Sequence, residues 1–171
     1  MKPAFALLAL LSVSCGQKSG ESSGPPTGPT GPTGPTVPTE QVDGGQWSQR
    51  ASLLEANSEL AFAALNGKLY LLGGYPASRQ TVRTVQVYDI ASGSWQLGPP
   101  LPAPNNHGMA AGVNGRVYLI GGQTMADAPT YVDTVYELDP AKGAWVEKAR
   151  MPTARSSGVA VVHDGKIYVA G

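Results

Sequence analysis

The sequence predicts an all-β fold built from short antiparallel strands, and three observations carry that reading. Trp47, Trp95 and Trp145 are spaced by 48 and 50 residues. Tyr70, Tyr118 and Tyr168 keep the same two spacings, and so do Gly73-Gly74, Gly121-Gly122 and Gly171. Before each of these tyrosines stands a turn pair: Asn66-Gly67, Asn114-Gly115 or Asp164-Gly165. Several features agreeing at one period mark a repeat architecture. Composition agrees, because 22 Gly and 15 Pro among 171 residues, with 14% charged, punctuate the chain too often for long helices.

Each unit reads as four strands. The first is an apolar run of small residues: Leu60–Leu65, Met109–Val113 and Val159–His163. The Asn-Gly or Asp-Gly pair follows, and both of its residues tolerate the positive φ of a type I′ hairpin, so the chain folds straight back. The second strand is Leu69–Leu72, Val117–Ile120 or Ile167–Ala170, and the double glycine ends it where a side chain would obstruct a bend or a neighbouring backbone. The third strand is expected near Arg83–Tyr88 and Tyr131–Leu138. Turns at Ala91-Ser92-Gly93 and Pro140-Ala141-Lys142-Gly143 lead to a fourth strand carrying Trp95 or Trp145.

Gly-Lys/Arg-apolar-Tyr-apolar-apolar-Gly-Gly, then Tyr-Asp or Leu-Asp-Pro, then Trp, then Met-Pro-x-x-Arg resembles the kelch motif over residues 46–171. The resemblance implies a β-propeller, each repeat forming one four-stranded blade about a central axis. A blade has two apolar faces and needs neighbours to bury them. Blade one is expected at Asn57–Leu97 and blade two at Asn105–Val146, while blade three starts at Arg155 and reaches only its second strand by Gly171. Trp47 belongs to a fourth strand whose own blade is not upstream of it. The expected fold is therefore an incomplete kelch-type propeller, two and a half blades of a ring of five to seven, from a longer chain.

The N-terminus is of another kind. Met1-Lys2-Pro3 gives a basic start, Ala4–Leu11 an apolar run, and Ser12-Val13-Ser14 the small residues of a cleavage site, so residues 1–14 read as an export signal. Eight apolar residues make a helix of roughly 12 Å, too short for the ~30 Å hydrocarbon core of a bilayer. Leu11-Ser12-Val13-Ser14-Cys15 resembles a bacterial lipobox, departing from its usual form at Ser12. The resemblance implies that Cys15 is acylated and anchors an exported protein to a membrane, and Gly16 after it favours the outer membrane. Residues 15–45 then form a spacer: Gly-Pro-Thr recurs three times from Gly28 to Thr36 and large apolar residues are nearly absent. Such a segment buries too little to offset its ordering entropy. Extended as polyproline II at ~3.1 Å per residue, it reaches at most roughly 90 Å.

The balance of 12 basic and 12 acidic residues gives no electrostatic case for nucleic acid. No nucleophile motif or phosphate loop is visible, no metal cluster has ligand spacing, and no cofactor is implied. His107 and His163 fall at opposite ends of equivalent strands and do not make a metal pair. Resemblance to galactose oxidase fails at its copper site, for the propeller portion has no Cys and no paired His. The longer, varied loops lie on the face where strands two and three and successive blades are connected, and such loops on a rigid scaffold are where binding residues concentrate. Candidate ligand-face residues there are Asn57, Glu59, Tyr75, Arg79, Asn105, Asn106, His107, Tyr131 and Arg155. Asn57, Asn105 and Arg155 form one column of the repeat, and Glu59, His107 and Ser157 the next. The expected function is a membrane-anchored binding module for a protein or glycan partner rather than an enzyme. The alternative is a sugar-active propeller resembling the periplasmic sialic acid mutarotase, for which no catalytic residue can be matched.

Overall fold

The structure is a computed structural model and describes residues 48–125 and 130–171. The signal, Cys15, the Gly-Pro-Thr spacer and Trp47 lie outside the described residues. Ten strands follow one another along the rest of the chain. Blade one is β1 (Ala61–Leu65), β2 (Lys68–Leu72), β3 (Val85–Asp89) and β4 (Ser94–Leu97). Blade two is β5 (Met109–Val113), β6 (Arg116–Ile120), β7 (Val135–Asp139) and β8 (Ala144–Glu147), and β9 (Val159–His163) with β10 (Lys166–Ala170) begins blade three. Each sheet is an antiparallel meander in chain order, β1-β2-β3-β4, β5-β6-β7-β8 and β9-β10. This is an incomplete β-propeller, as the repeat predicts.

Local chemistry makes the hairpins. Asn66 and Gly67 have φ of 49° and 72°, Asn114 and Gly115 50° and 74°, Asp164 and Gly165 47° and 69°. Positive φ at both central residues is the type I′ turn, whose twist matches that of the flanking strands. The turns into the fourth strands are held by aspartates. Asp89 Oδ1 accepts from the N–H groups of Ala91 and Ser92, and Asp139 Oδ1 from that of Ala141. The third strands start later than the sequence implies, at Val85 and Val135 rather than Arg83 and Tyr131. The reason is competition for backbone: the carbonyls of Arg83 and Asp133 accept from the N–H groups of Leu101 and Met151, on the segments that cross to the next blade.

Period-two alternation gives each blade two faces. The trailing face of blade one supplies Ala61, Ala63, Tyr70, Leu72, Val85 and Val87 to the main core. The leading face of blade two meets them with Val117, Leu119 and Leu138, and with Ala110, Tyr136 and Trp145 at the margin. Leu101, fully buried, plugs the joint from the crossing segment. Trp145 Nε1–H donates to the Pro99 carbonyl at 3.0 Å. The equivalent bond runs from Trp95 Nε1–H to the Ala51 carbonyl at 2.8 Å. Trp95 takes the equivalent place on the leading face of blade one, 4.9 Å from the Tyr88 ring, beside Leu53, Leu69 and Leu71.

Candidate functional site

Two columns of the repeat stand where the innermost strands β1, β5 and β9 begin, the end that the propeller reading makes the channel mouth. In the first, a side chain closes the end of its own blade: Asn57 Nδ2 donates to the Gly73 carbonyl at 2.6 Å, Asn105 Nδ2 to the Gly121 carbonyl at 2.9 Å, and Arg155 to the Gly171 carbonyl. The backbone of the same residues ties adjacent blades. Gly74 N–H donates to the Asn105 carbonyl at 2.7 Å and Gly122 N–H to the Arg155 carbonyl at 2.8 Å. A Cβ on Gly74 or Gly122 would collide with backbone and asparagine atoms there, so the second glycine is needed for close approach as well as for its φ of 86° or 106°.

In the second column Glu59, His107 and Ser157 all adopt the left-handed conformation, with φ of 52°, 50° and 56°. None is a glycine, and such residues persist only where their surroundings hold them. The surroundings are a ladder across the blades: His107 N–H donates to the Glu59 carbonyl and Ser157 N–H to the His107 carbonyl, each at 2.8 Å. The strain therefore has a structural cause. It also turns the side chains toward the mouth. His107 Nε2 stands 3.0 Å from Glu59 Oε2, an imidazole on blade two against a carboxylate on blade one. His107 Nδ1 lies 2.6 Å from Asn106 Oδ1, and Asn106 Nδ2 donates to Thr81 Oγ1 at 2.7 Å. Thr81, Asn106, His107 and Glu59 thus form one polar chain over the first joint.

Beside this chain is an open depression of about 450 Å³, lined by Ala56, Asn57, Ser58, Tyr75, Pro76, Ala77 and Arg79. The Arg79 guanidinium lies 5.7 Å from the Tyr75 ring centre, in cation–π range, and the Tyr75 ring is 6.3 Å from that of His107. Arg79 itself has a φ of 57°. Ser58 and Tyr75 pair as an isolated bridge that supports the rim. An aromatic face, a guanidinium and small hydroxyl and amide groups suit a polar ligand with an apolar side.

The structure brings together Asn57, Tyr75 and Arg79 around the depression, with Glu59, Asn106 and His107 next to it. It does not bring all nine candidates to one surface. Asn105 and Asn106 are 4% and 0% exposed; the Asn105 amide closes its own blade at Gly121, and the Asn106 amide spans the joint to Thr81. Asn105 Oδ1 has no hydrogen-bond partner among the described residues, and it rests where Cβ atoms on Gly108 and Gly122 would otherwise stand. Tyr131 is 58% exposed and pairs with Gln123 on the blade-two loop. Arg155 reaches back along its own blade. The sequence reading missed Ser58, Thr81 and Gln123. Aligning the repeats would have found two of them, for Gln123 is the equivalent of Tyr75, and Ser58 of Asn106. Among the described residues no group of His, Cys, Asp and Glu could hold a metal ion.

Four-stranded meanders laced by Asn-Gly hairpins and double glycines define this arc as propeller blades of the kelch type. Comparison with known proteins agrees. The Kelch motif family model matches residues 56–102 and 110–152, more than half of the chain, and the chain belongs to that family. Kelch-like protein 36 of Rattus norvegicus and of Mus musculus is 51% identical over 45 residues, and that of Bos taurus 49% over the same length. Each match covers 26% of this chain and 7% of the relative. Among solved structures the chain is similar to YjhT, with a TM-score of 0.61 at 20% identity, over 70% of this chain and 35% of that one. That likeness concerns the fold.

Proposed function

We propose that this chain is an exported protein, anchored to a membrane by acyl groups on Cys15, whose propeller offers its channel-mouth face to a protein or glycan partner. The observation that carries the binding reading is the depression beside Tyr75 and Arg79. There an aromatic ring and a cation adjoin on the varied-loop face, beside the Ser58 hydroxyl and the Asn57 amide, which bond to the Tyr75 and Gly73 carbonyls. The anchor rests on the sequence around Cys15, and the Gly-Pro-Thr spacer supports it by giving the propeller reach from a membrane. The experiment has two parts. A palmitate analogue fed to expressing cells should label the wild type and spare Cys15→Ala; label that survives the substitution refutes the anchor. Screening the soluble propeller against glycan and surface-protein libraries should give binding that Tyr75→Ala and Arg79→Ala each weaken roughly tenfold or more, the scale of one lost anchor residue. Binding indifferent to both moves the site elsewhere.

One observation favours the alternative, a sugar-active propeller. The Glu59–His107 contact pairs a carboxylate with an imidazole at the mouth, and both groups are of the kind that transfer protons to and from sugar hydroxyls. Interconversion of the two anomers of a free sugar, followed by NMR and abolished in Glu59→Gln, would establish it; no interconversion above the spontaneous rate with any sugar that binds would remove it.

A further inference from the structure

The chain has five asparagines, Asn57, Asn66, Asn105, Asn106 and Asn114, and the structure describes all of them. Four have side-chain amides that donate hydrogen bonds: Asn57 to the Gly73 carbonyl, Asn105 to that of Gly121, Asn106 to Thr81, and Asn114 across the second joint to the Gly165 carbonyl at 3.4 Å. The Asn66 amide has no such partner among the described residues; the carbonyl equivalent to that of Gly165, on Gly115, accepts instead from the Arg116 guanidinium at 3.1 Å. A Cβ on Gly165 would stand 3.6 Å from Asn114 Nδ2, whereas one on Gly115 would meet nothing within 4 Å. Asn66 therefore does not reach across the first joint as Asn114 reaches across the second. Of the five, Asn66 and Asn114 are followed by glycine. Asn66 and Gly67 are both exposed, and a Cβ on Gly67 would also meet nothing. The Ile90 N–H donates to the Gly67 carbonyl at 3.0 Å, but the Gly67 N–H donates to no backbone carbonyl among the described residues.

We propose that Asn66 is a deamidation site, at which the chain is modified without an enzyme. The Gly67 nitrogen forms a bond to Asn66 Cγ and gives up its proton; the Cγ–Nδ2 bond breaks, and Nδ2 leaves as ammonia with that proton. Water then opens the cyclic imide at either of its carbonyls, which yields aspartate or isoaspartate at residue 66. Attack by a backbone nitrogen needs close approach, and glycine places no Cβ in the way. It also needs the turn to leave its left-handed conformation for a moment, and an exposed tip whose side chain is untethered opens at low cost. The fold already accommodates the aspartate product. Asp164 occupies the same place in blade three with a φ of 47°, against 49° at Asn66, and its hairpin pairs His163 with Lys166 as Leu65 pairs with Lys68. Isoaspartate is different, because it adds a backbone carbon to the turn that fixes the β1–β2 register. The proposal rests on the fold and not on the function proposed above.

Asn114 is the internal control, since it shares the Asn-Gly sequence and differs in its bond to Gly165. The purified full chain is kept warm at mildly alkaline pH, digested at intervals and mapped by mass spectrometry, with isoaspartate scored by a methyltransferase specific for it. Asn66 should convert roughly threefold or more faster than Asn114, the rate equivalent of one modest hydrogen bond. Asn57, Asn105 and Asn106 should stay unchanged over the same interval. Asn66→Asp should keep the wild-type circular dichroism spectrum and thermal melt, as expected of a residue that already serves at the equivalent turn. No conversion at Asn66 overturns the proposal. Conversion at Asn114 as fast as at Asn66 overturns the assignment to the untethered amide. An Asn66→Asp chain that fails to fold overturns the claim that blade one accepts the product.

Discussion

The joint between blades one and two and the joint between blades two and three start from the same backbone and end with opposite chemistry. At the first, Tyr70 pairs across the sheet with Val87, and both are buried under blade two. At the second, Tyr118 pairs with Glu137 and donates its hydroxyl proton to Glu137 Oε2 at 2.7 Å. Lys148 Nζ is 3.4 Å from the same oxygen, and an Arg116 nitrogen is 3.1 Å from Asp139 Oδ2. Where blade two has Lys148, blade one has Gly98, and a Cβ there would already press on Val85 and Val87. The inner half of the second joint is apolar and closed, with Met109 2% and Ala111 5% exposed beneath β9 and β10. Its outer half is charged. The repeat dictates where a residue sits, and what covers that address decides which residue is tolerated.

The largest expected effects break the comparison at its tyrosines. Tyr70→Ala should cost about 3–5 kcal/mol, the usual toll of emptying a large aromatic from a core. The equivalent Tyr168→Ala, at an open face, should cost under about 1 kcal/mol, as surface substitutions do. Denaturant titration of both variants reads the difference, and equal costs would mean that blade three is covered in solution.

A smaller effect tests the closeness of the first joint. Gly112 lies where Ala64 and Val162 lie in the other blades, and a Cβ on it would collide with the Ala64 backbone carbonyl of blade one. Gly112→Ala should destabilise by about 1–3 kcal/mol through overpacking. Thermal melts that match the wild type would show the blades further apart than described.

The charged joint also predicts a titration. The Tyr118–Glu137 bond holds the Tyr118 hydroxyl above its ordinary range and, with Lys148 and Arg116, the Glu137 carboxyl below its own. Glu137→Val should therefore return Tyr118 downward, read by ultraviolet absorbance against pH, and a Tyr118 that does not move would break the pair. Blade one has a related, half-buried device. Lys68 bonds Asp89 at 2.6 Å and, with the Ser92 and Ala91 N–H groups, lowers the Asp89 carboxyl to about 2. Because the folded value lies below the unfolded one of about 3.9, its contribution is complete above that value. It is lost as pH falls through about 2. Acid unfolding of Lys68→Met should begin at higher pH than that of the wild type, and a superimposable curve would show that the bond does not matter.

The repeat made the blades legible to the residue, since Asn-Gly pairs, double glycines and tryptophans each have one backbone role. The third strands were less legible, because the competing pull of crossing segments on Arg83 and Asp133 leaves no mark in composition. The candidate site was legible as columns but not as contacts. Glu59 and His107 were seen as equivalents from different blades; that equivalence at a channel mouth means adjacency follows only once left-handed backbone at both is known. The burial of Asn105 and Asn106 was hidden for the same reason, for polar residues on a loop face read as exposed until the next blade's backbone is placed over them.

Hydrogen exchange tests the contrast between closed and open blades most directly. The alternation set at each hairpin turns the amides of Leu69 and Leu71 toward β3 and those of Val117 and Leu119 toward β7. The equivalent amides of Ile167 and Val169 turn to the outer edge of β10, where no strand stands among the described residues. Ile167 and Val169 should exchange at least a hundredfold faster than Leu71 and Leu119. Equal protection at all four positions would contradict the account, because it would place a strand beside β10 that the arc of two and a half blades does not contain.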